Sequence, residues 1–235
     1  MKGFRIARVF GIDIEIHWSL LAIFGLIIFD LIGWFARQSP QFVSWTLWFA
    51  AIFSAVIFIF SVIFHEMAHS LTARMFNIRA ERITLFIFGG IAQMKAGYGF
   101  GSPKKEFWIA ITGPISSFFL AGIFTIGTFV FPSTITFHVF NWLSIVNFIL
   151  ATFNLVPCFP MDGGRVFRAI CWWLAKDIVK ATGIAVWVGI VFGITMVAII
   201  SLKTGIANAL WIAFIVFFII IPASIAEYRA LKNQD

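Results

Sequence analysis

His65, Glu66 and His69 stand in the order H-E-x-x-H at the end of an apolar run from Phe42 to Phe64. On a helix, residues four apart lie about 40° apart around the axis and roughly 6 Å along it, so both imidazoles reach one ion. The glutamate between them then faces the open coordination position, where a carboxylate takes a proton from water that the ion activates. Such a triplet suits hydrolysis at one zinc ion, with His65 and His69 as ligands and Glu66 as general base. The bland alternative is a pair of helix histidines satisfied by neighbours or headgroups. The setting weighs against it, because ionisable groups at the end of a membrane-length helix are costly and tend to be functional.

A catalytic zinc takes three protein ligands and keeps one position for water. Of the ten acidic residues, Asp177 lies on a polar amphipathic stretch, and Glu81 and Glu106 fall in loops beside basic neighbours. Asp162 sits in Pro157-Cys158-Phe159-Pro160-Met161-Asp162-Gly163-Gly164. Two prolines break a helix there and two glycines allow a tight bend, which predicts irregular backbone at the membrane edge. Asp162 is therefore the candidate third ligand; its alternative is a solvated turn residue.

The elements that must position these groups are membrane helices. The chain is 61% hydrophobic and 11% charged, with a mean hydropathy of +1.00, whereas water-soluble domains average about a quarter charged residues. Thirty-one Phe and ten Trp suit lipid-facing surfaces and interfacial belts. The formal charge of +7 is spread over short loops with no dense basic tract, which argues against a nucleic-acid partner. Two cysteines, Cys158 and Cys171, are too few for a disulfide framework and read as small apolar residues. The stretch Ile16 to Phe35, after Lys2, Arg5 and Arg8, is too long for a signal-peptide core and reads as a retained span.

The pattern predicts an all-α multi-pass membrane protein with six transmembrane helices, at about 16–35, 42–76, 107–131, 139–156, 183–202 and 205–225. They form a single domain over 1–235 with no appended regulatory domain. Met1 to Glu15 reads as a basic, amphipathic lead-in, and His17 as an interfacial hydrogen bonder. Between spans 2 and 3, Ile83 to Ile91 is β-branched and aromatic with a Gly89-Gly90 step, predicting a short re-entrant β-hairpin that turns at the glycines. Such backbone survives at membrane depth only beside protein or a polar cavity; a plain apolar loop is the alternative. Span 4 carries Asn141, Asn147 and Asn154, amides that hydrocarbon tolerates only with partners. An amphipathic stretch runs from Arg165 to Lys180, and the tail from Glu227 is short and polar. Fifteen of the 17 Lys and Arg fall in alternate loops, so both termini are expected in the cytoplasm. His65, His69 and Asp162 are then expected at one depth near the cytoplasmic side of the cell membrane.

With these residues in view, the chain resembles the site-2 protease family, zinc intramembrane metalloproteases that cleave membrane-spanning segments. The resemblance rests on His65-Glu66-x-x-His69 and on Asn154-x-x-Pro157-x-x-Pro160-x-Asp162-Gly163-Gly164, supported by Gly89-Gly90 and Gly113-Pro114, and runs from Gly11 to about Phe218. It implies that Asp162 is the third zinc ligand and that Asn154 acts in the active site. It also implies transmembrane substrates in the bilayer, such as anti-sigma factors or membrane-tethered transcription factors. Substrate capture by β-addition near Ile83 to Met94 fits this reading. Two rivals remain. A membrane zinc protease acting on other or misfolded proteins predicts a downstream glutamate ligand, for which only Glu227 is available. A non-catalytic metal-binding transporter or scaffold predicts polar groups along several spans, and spans 5 and 6 carry almost none. Substrate identity and oligomeric state are not encoded in any of these features.

Overall fold

The computed structural model describes residues 3–86, 89–94, 98–132 and 135–233. Six helices among them are long and apolar enough to cross a bilayer: Ser19–Gln38, Ser44–Met75, Pro103–Val130, Ile135–Asn154, Ile178–Thr204 and Ile212–Lys232. This is the multi-pass helical protein that the composition predicts, with a four-stranded sheet added to it. The chain divides into two compact units, residues 1–95 with 112–151, and residues 96–111 with 152–235.

The first unit begins with strands β1 (Phe4–Val9) and β2 (Ile12–Ile16), joined through Phe10 and Gly11. Both turn residues have positive φ, 49° and 75°, the geometry a two-residue hairpin needs to match strand twist. The basic, amphipathic lead-in is thus a β-hairpin. Its signal was the alternation of Ile12, Ile14 and Ile16 with Asp13 and Glu15, short enough to be read as part of a basic leader. Helices α1 (Ser19–Gln38) and α2 (Ser44–Met75) follow, then β3 (Ala80–Phe86) and β4 (Gly89–Met94). Strand β2 pairs in parallel with β3, so the two long helices form the crossover between them. The outer pairs are antiparallel, in the order β1-β2-β3-β4.

The predicted β-hairpin between spans 2 and 3 is β3–β4, but its turn is displaced. Phe86 pairs with Gly89 and Leu85 with Gly90, so the glycines open β4 instead of making the bend, and residues 87–88 lie outside the described residues. Inward-facing Ile12, Ile14, Ile83 and Leu85 pack with Met67 of α2 into a buried cluster. A second cluster joins Leu31 and Phe35 of α1 to Leu47, Ala50, Ala51 and Ala55 of α2 and to Val139 and Leu143 of α4 (Ile135–Asn154). The small residues on α2 let helices approach closely where lipid supplies no hydrophobic drive. Buried Ser54 donates to the Ala50 carbonyl at 2.7 Å, which removes the penalty of a bare hydroxyl.

Helix α3 (Pro103–Val130) contributes to both units and starts four residues before the expected position. The second unit also holds α5 (Asp162–Ala175), α6 (Ile178–Thr204), α7 (Ile206–Ile215) and α8 (Ile221–Lys232). A π-helical turn, Val216–Ile220, joins the last two; it lies just before Pro222, whose ring would clash with an α-helical carbonyl four residues back. The helix runs past the expected end of the sixth span at 225 to Lys232, and Glu227 within it accepts a hydrogen bond from Arg168 at 2.6 Å. Arg168 also donates from Nε to Glu106 at 2.8 Å, and both of these side chains are buried. Burial acts to lower the Arg168 pKa, but the two carboxylates outweigh it and hold it above the ordinary value. The expected amphipathic stretch breaks at Lys176, left-handed at φ 56°, and Asp177 caps α6 by accepting from the Val179 and Lys180 amides.

Candidate active site

His65, Glu66 and His69 belong to the first unit, Asn154 and Asp162 to the second. In the first unit, helix geometry places His65 and His69 one turn apart on α2, both at most 4% exposed. Their Nε2 atoms lie 3.2 Å apart and the rings stand at 81° to one another. Two nitrogens bound to one tetrahedral zinc at ~2.05 Å would be about 3.3 Å apart, so the pair is spaced as a bidentate donor set. Nδ1 of His65 lies 2.9 Å from Ser117 Oγ on α3. A ring that donates from Nδ1 to that hydroxyl keeps the Nε2 lone pair for a metal.

Close backbone approach shapes both functional groups. A Cβ built on Gly113 of α3 would fall 2.2 Å from His69 Nε2 and 2.7 Å from His65 Nε2. Only a glycine lets α3 pass so near the imidazole edges. A Cβ on Gly90 of β4 would likewise fall 2.4 Å from Glu66 Cγ and 2.9 Å from its Cδ. Glu66 is half-buried, and β4 holds its carboxyl stem against glycine backbone. Among the described residues β4 lies at the sheet edge, so its outer ladder faces a strand that would lie along Gly90. An apolar cavity of about 240 Å³ between α1 and α2 reaches Gly89 and Phe86 at the same end of this strand.

The second unit holds Asn154, the last residue of α4, and Asp162, the first of α5. Irregular backbone was expected at Asp162; it occupies 155–161 instead, and Asp162 begins a helix. There the carboxylate is favoured by the partial positive charge of the helix start. Asp162 is 9% exposed, so it is not a solvated turn residue. The two glycines after it serve packing: a Cβ on Gly163 would strike the Leu155 carbonyl at 2.3 Å, and one on Gly164 the Cys158 carbonyl carbon at 2.7 Å. Buried Cys158 packs under Gly189 of α6, and burial pushes its thiol up to about 11, an inert apolar filler as expected.

Sequence reasoning missed Ser117 altogether. A serine in an apolar helix carries no signal until a partner is seen, and its spacing of four from Gly113 acquires meaning only beside His65. The reason for Gly90 and Gly113 is a contact made by residues distant in sequence. His17, expected as an interfacial hydrogen bonder, pairs through Nδ1 with Ser19 at 2.9 Å at the start of α1.

The sequence pattern of peptidase family M50 matches residues 53–135 and 131–198. The chain is 32% identical over 237 residues to Rip3 of Mycobacterium tuberculosis, a protein whose name assigns it to the zinc metalloproteases. That match covers 97% of this chain and 60% of Rip3. A zinc metalloprotease of Methanocaldococcus jannaschii is 34% identical over 189 residues, covering 79% of this chain and 50% of that protein. The chain thus spans between half and two thirds of the length of these curated relatives. Among solved structures, the site-2 protease from Methanocaldococcus jannaschii is similar with a TM-score of 0.59 at 29% identity, over 97% of this chain and 95% of that one.

Proposed function

The chain belongs to peptidase family M50, and from that premise we propose that it is a zinc-dependent endopeptidase cutting peptide bonds within or near transmembrane segments. The observation that carries this reading is the pair of buried imidazoles with Nε2 atoms 3.2 Å apart, backed by Ser117 and flanked by Glu66. His65 and His69 are two ligands of one zinc ion in this reading, and Asp162 is the third. Zinc when bound supplies Lewis acidity, acidifying water and polarising the scissile carbonyl. Glu66 accepts the proton of the attacking water and delivers it to the leaving amine. Gly90 keeps the Glu66 stem in place, and Ser117 orients His65 from behind. Asn154 donates a hydrogen bond from its amide to the developing oxyanion or to substrate backbone.

A membrane-spanning substrate hides its amides in helical hydrogen bonds and must unwind before hydrolysis. The free edge of β4 pairs with the unwound stretch by β-addition, beside Glu66. Membrane-tethered regulators, including anti-sigma factors and transcription factors, are the client class in this reading. The loop charge bias places both termini and the site on the cytoplasmic side.

The test is cleavage of a model transmembrane substrate by purified protein in lipid, with bound zinc measured in parallel. Glu66→Gln is expected to abolish cleavage while retaining zinc, and Asp162→Ala to lose both. Full activity in the Glu66 variant refutes the mechanism; full zinc occupancy in the Asp162 variant removes that residue from the ligand set.

A further inference from the structure

The first unit carries a second concave site that the hydrolytic reading does not use. Where the β1–β2 turn, the end of α2 and the start of β3 meet, they enclose a polar cleft of about 710 Å³. Its walls include four arginines, Arg8, Arg74, Arg79 and Arg82, against two carboxylates, Asp13 and Glu81. Three of the guanidiniums are anchored. Arg74 donates from Nη2 to the Phe10 carbonyl at 2.6 Å, Arg82 pairs with Glu15 at 3.3 Å, and Arg8 lies 3.6 Å from Asp13. Arg79 is exposed and has no hydrogen-bond or ion-pair partner among the described residues.

An excess of positive charge in a polar concavity of this size calls for an anion larger than a halide. Guanidinium forks favour planar or tetrahedral oxyanions that accept paired hydrogen bonds, phosphate above all. Large apolar side chains stand exposed nearby in sequence: Phe10 in the β1–β2 turn at 66% and Met75, next to Arg74, at 82%. A basic cleft beside exposed apolar groups on a membrane protein matches a headgroup at the lipid interface.

We propose that this cleft binds a phosphate-bearing anion, the headgroup of an anionic phospholipid or a soluble phosphate ester, with Arg79 as the free guanidinium that closes on it. The ligand ties the N-terminal hairpin to the end of α2, the helix that carries His65 and His69.

The experiment uses the full chain in nanodiscs. In one arm, phosphatidylglycerol retained by the protein is counted by native mass spectrometry. In the other, pyrophosphate is titrated by calorimetry in nanodiscs of phosphatidylcholine alone. Arg8→Gln/Arg79→Gln is compared with the parent and with Lys203→Gln/Lys232→Gln, which removes the same charge elsewhere. Loss of two charge-assisted contacts, discounted for their exposure, is expected to weaken binding about tenfold in at least one arm. The control pair is expected to stay within about twofold. Binding in the first arm alone identifies a headgroup, binding in the second alone a soluble ester, and binding in both a phosphate group sufficient by itself. The proposal is overturned if the parent binds neither probe, if the arginine variant binds as tightly as the parent, or if the lysine control loses as much. Unchanged thermal unfolding guards against a folding artefact, and Arg79→Gln alone, which breaks no contact among the described residues, replaces the double variant should that control fail.

Discussion

Replacing Gly113 by alanine should disable the proposed metal site through a single methyl group. The built Cβ lies 2.2 Å from His69 Nε2, 2.4 Å from His69 Cε1 and 2.7 Å from His65 Nε2, against ordinary contacts that begin near 3.4 Å. Something must give by about 1.2 Å. If the rings move, imidazole nitrogens now 3.2 Å apart leave the spacing that a ~2.05 Å zinc–nitrogen bond allows. If α3 moves, Ser117, one turn on, withdraws from His65. Misplacement of about 1 Å in a catalytic constellation costs on the order of 10² in rate, and overpacking costs about 1–3 kcal/mol of stability. Gly122 on the same helix is the matched control, since a Cβ there meets nothing within 4 Å; alanine at that position should be neutral or slightly stabilising. Cleavage of a model transmembrane substrate and zinc retention against a chelator are measured for both. The reasoning is refuted if Gly113→Ala keeps kcat/KM within threefold of the parent with zinc fully retained, or if Gly122→Ala is equally damaging.

Gly90→Ala should lower kcat tenfold or more with zinc retention unchanged, since the three atoms nearest its Cβ would all belong to Glu66; metal loss in this variant would contradict that division of labour. Ser117→Ala should weaken zinc binding about 10–100-fold by freeing the His65 ring, read by competition with a chromogenic chelator, and an unaltered affinity would dismiss the supporting hydrogen bond. Arg168→Ala leaves Glu106 buried without its counter-charge and should cost about 3–5 kcal/mol. Thermal unfolding in detergent checks this, and Glu106→Gln/Arg168→Met should recover most of the loss; no recovery would refute the stranded Glu106 charge as its source.

Much of the architecture was legible because lipid is an exacting solvent. Long apolar runs can satisfy their backbone only as helices, so six candidate spans could be read off the chain, with boundaries shifted where polar ends found partners. The end of the sixth span was misjudged for that reason: Glu227 and Arg168 are 59 residues apart, and nothing local shows that a charged tail continues the helix. The N-terminal hairpin has a local signal in Ile12, Ile14 and Ile16, whereas the parallel pairing of β2 with β3 across two intervening membrane helices has none.

The sequence by itself determined that His65 and His69 share a helical face with Glu66 between them, since spacing of four on an unbroken apolar helix admits no other arrangement. Tertiary structure alone decided how near the backbones of α3 and β4 come to those side chains, why Gly113 and Gly90 carry no Cβ, and which hydroxyl orients His65. The difference is one of range. Helical periodicity is written in neighbouring residues, whereas a close approach depends on the packing of segments tens of residues apart.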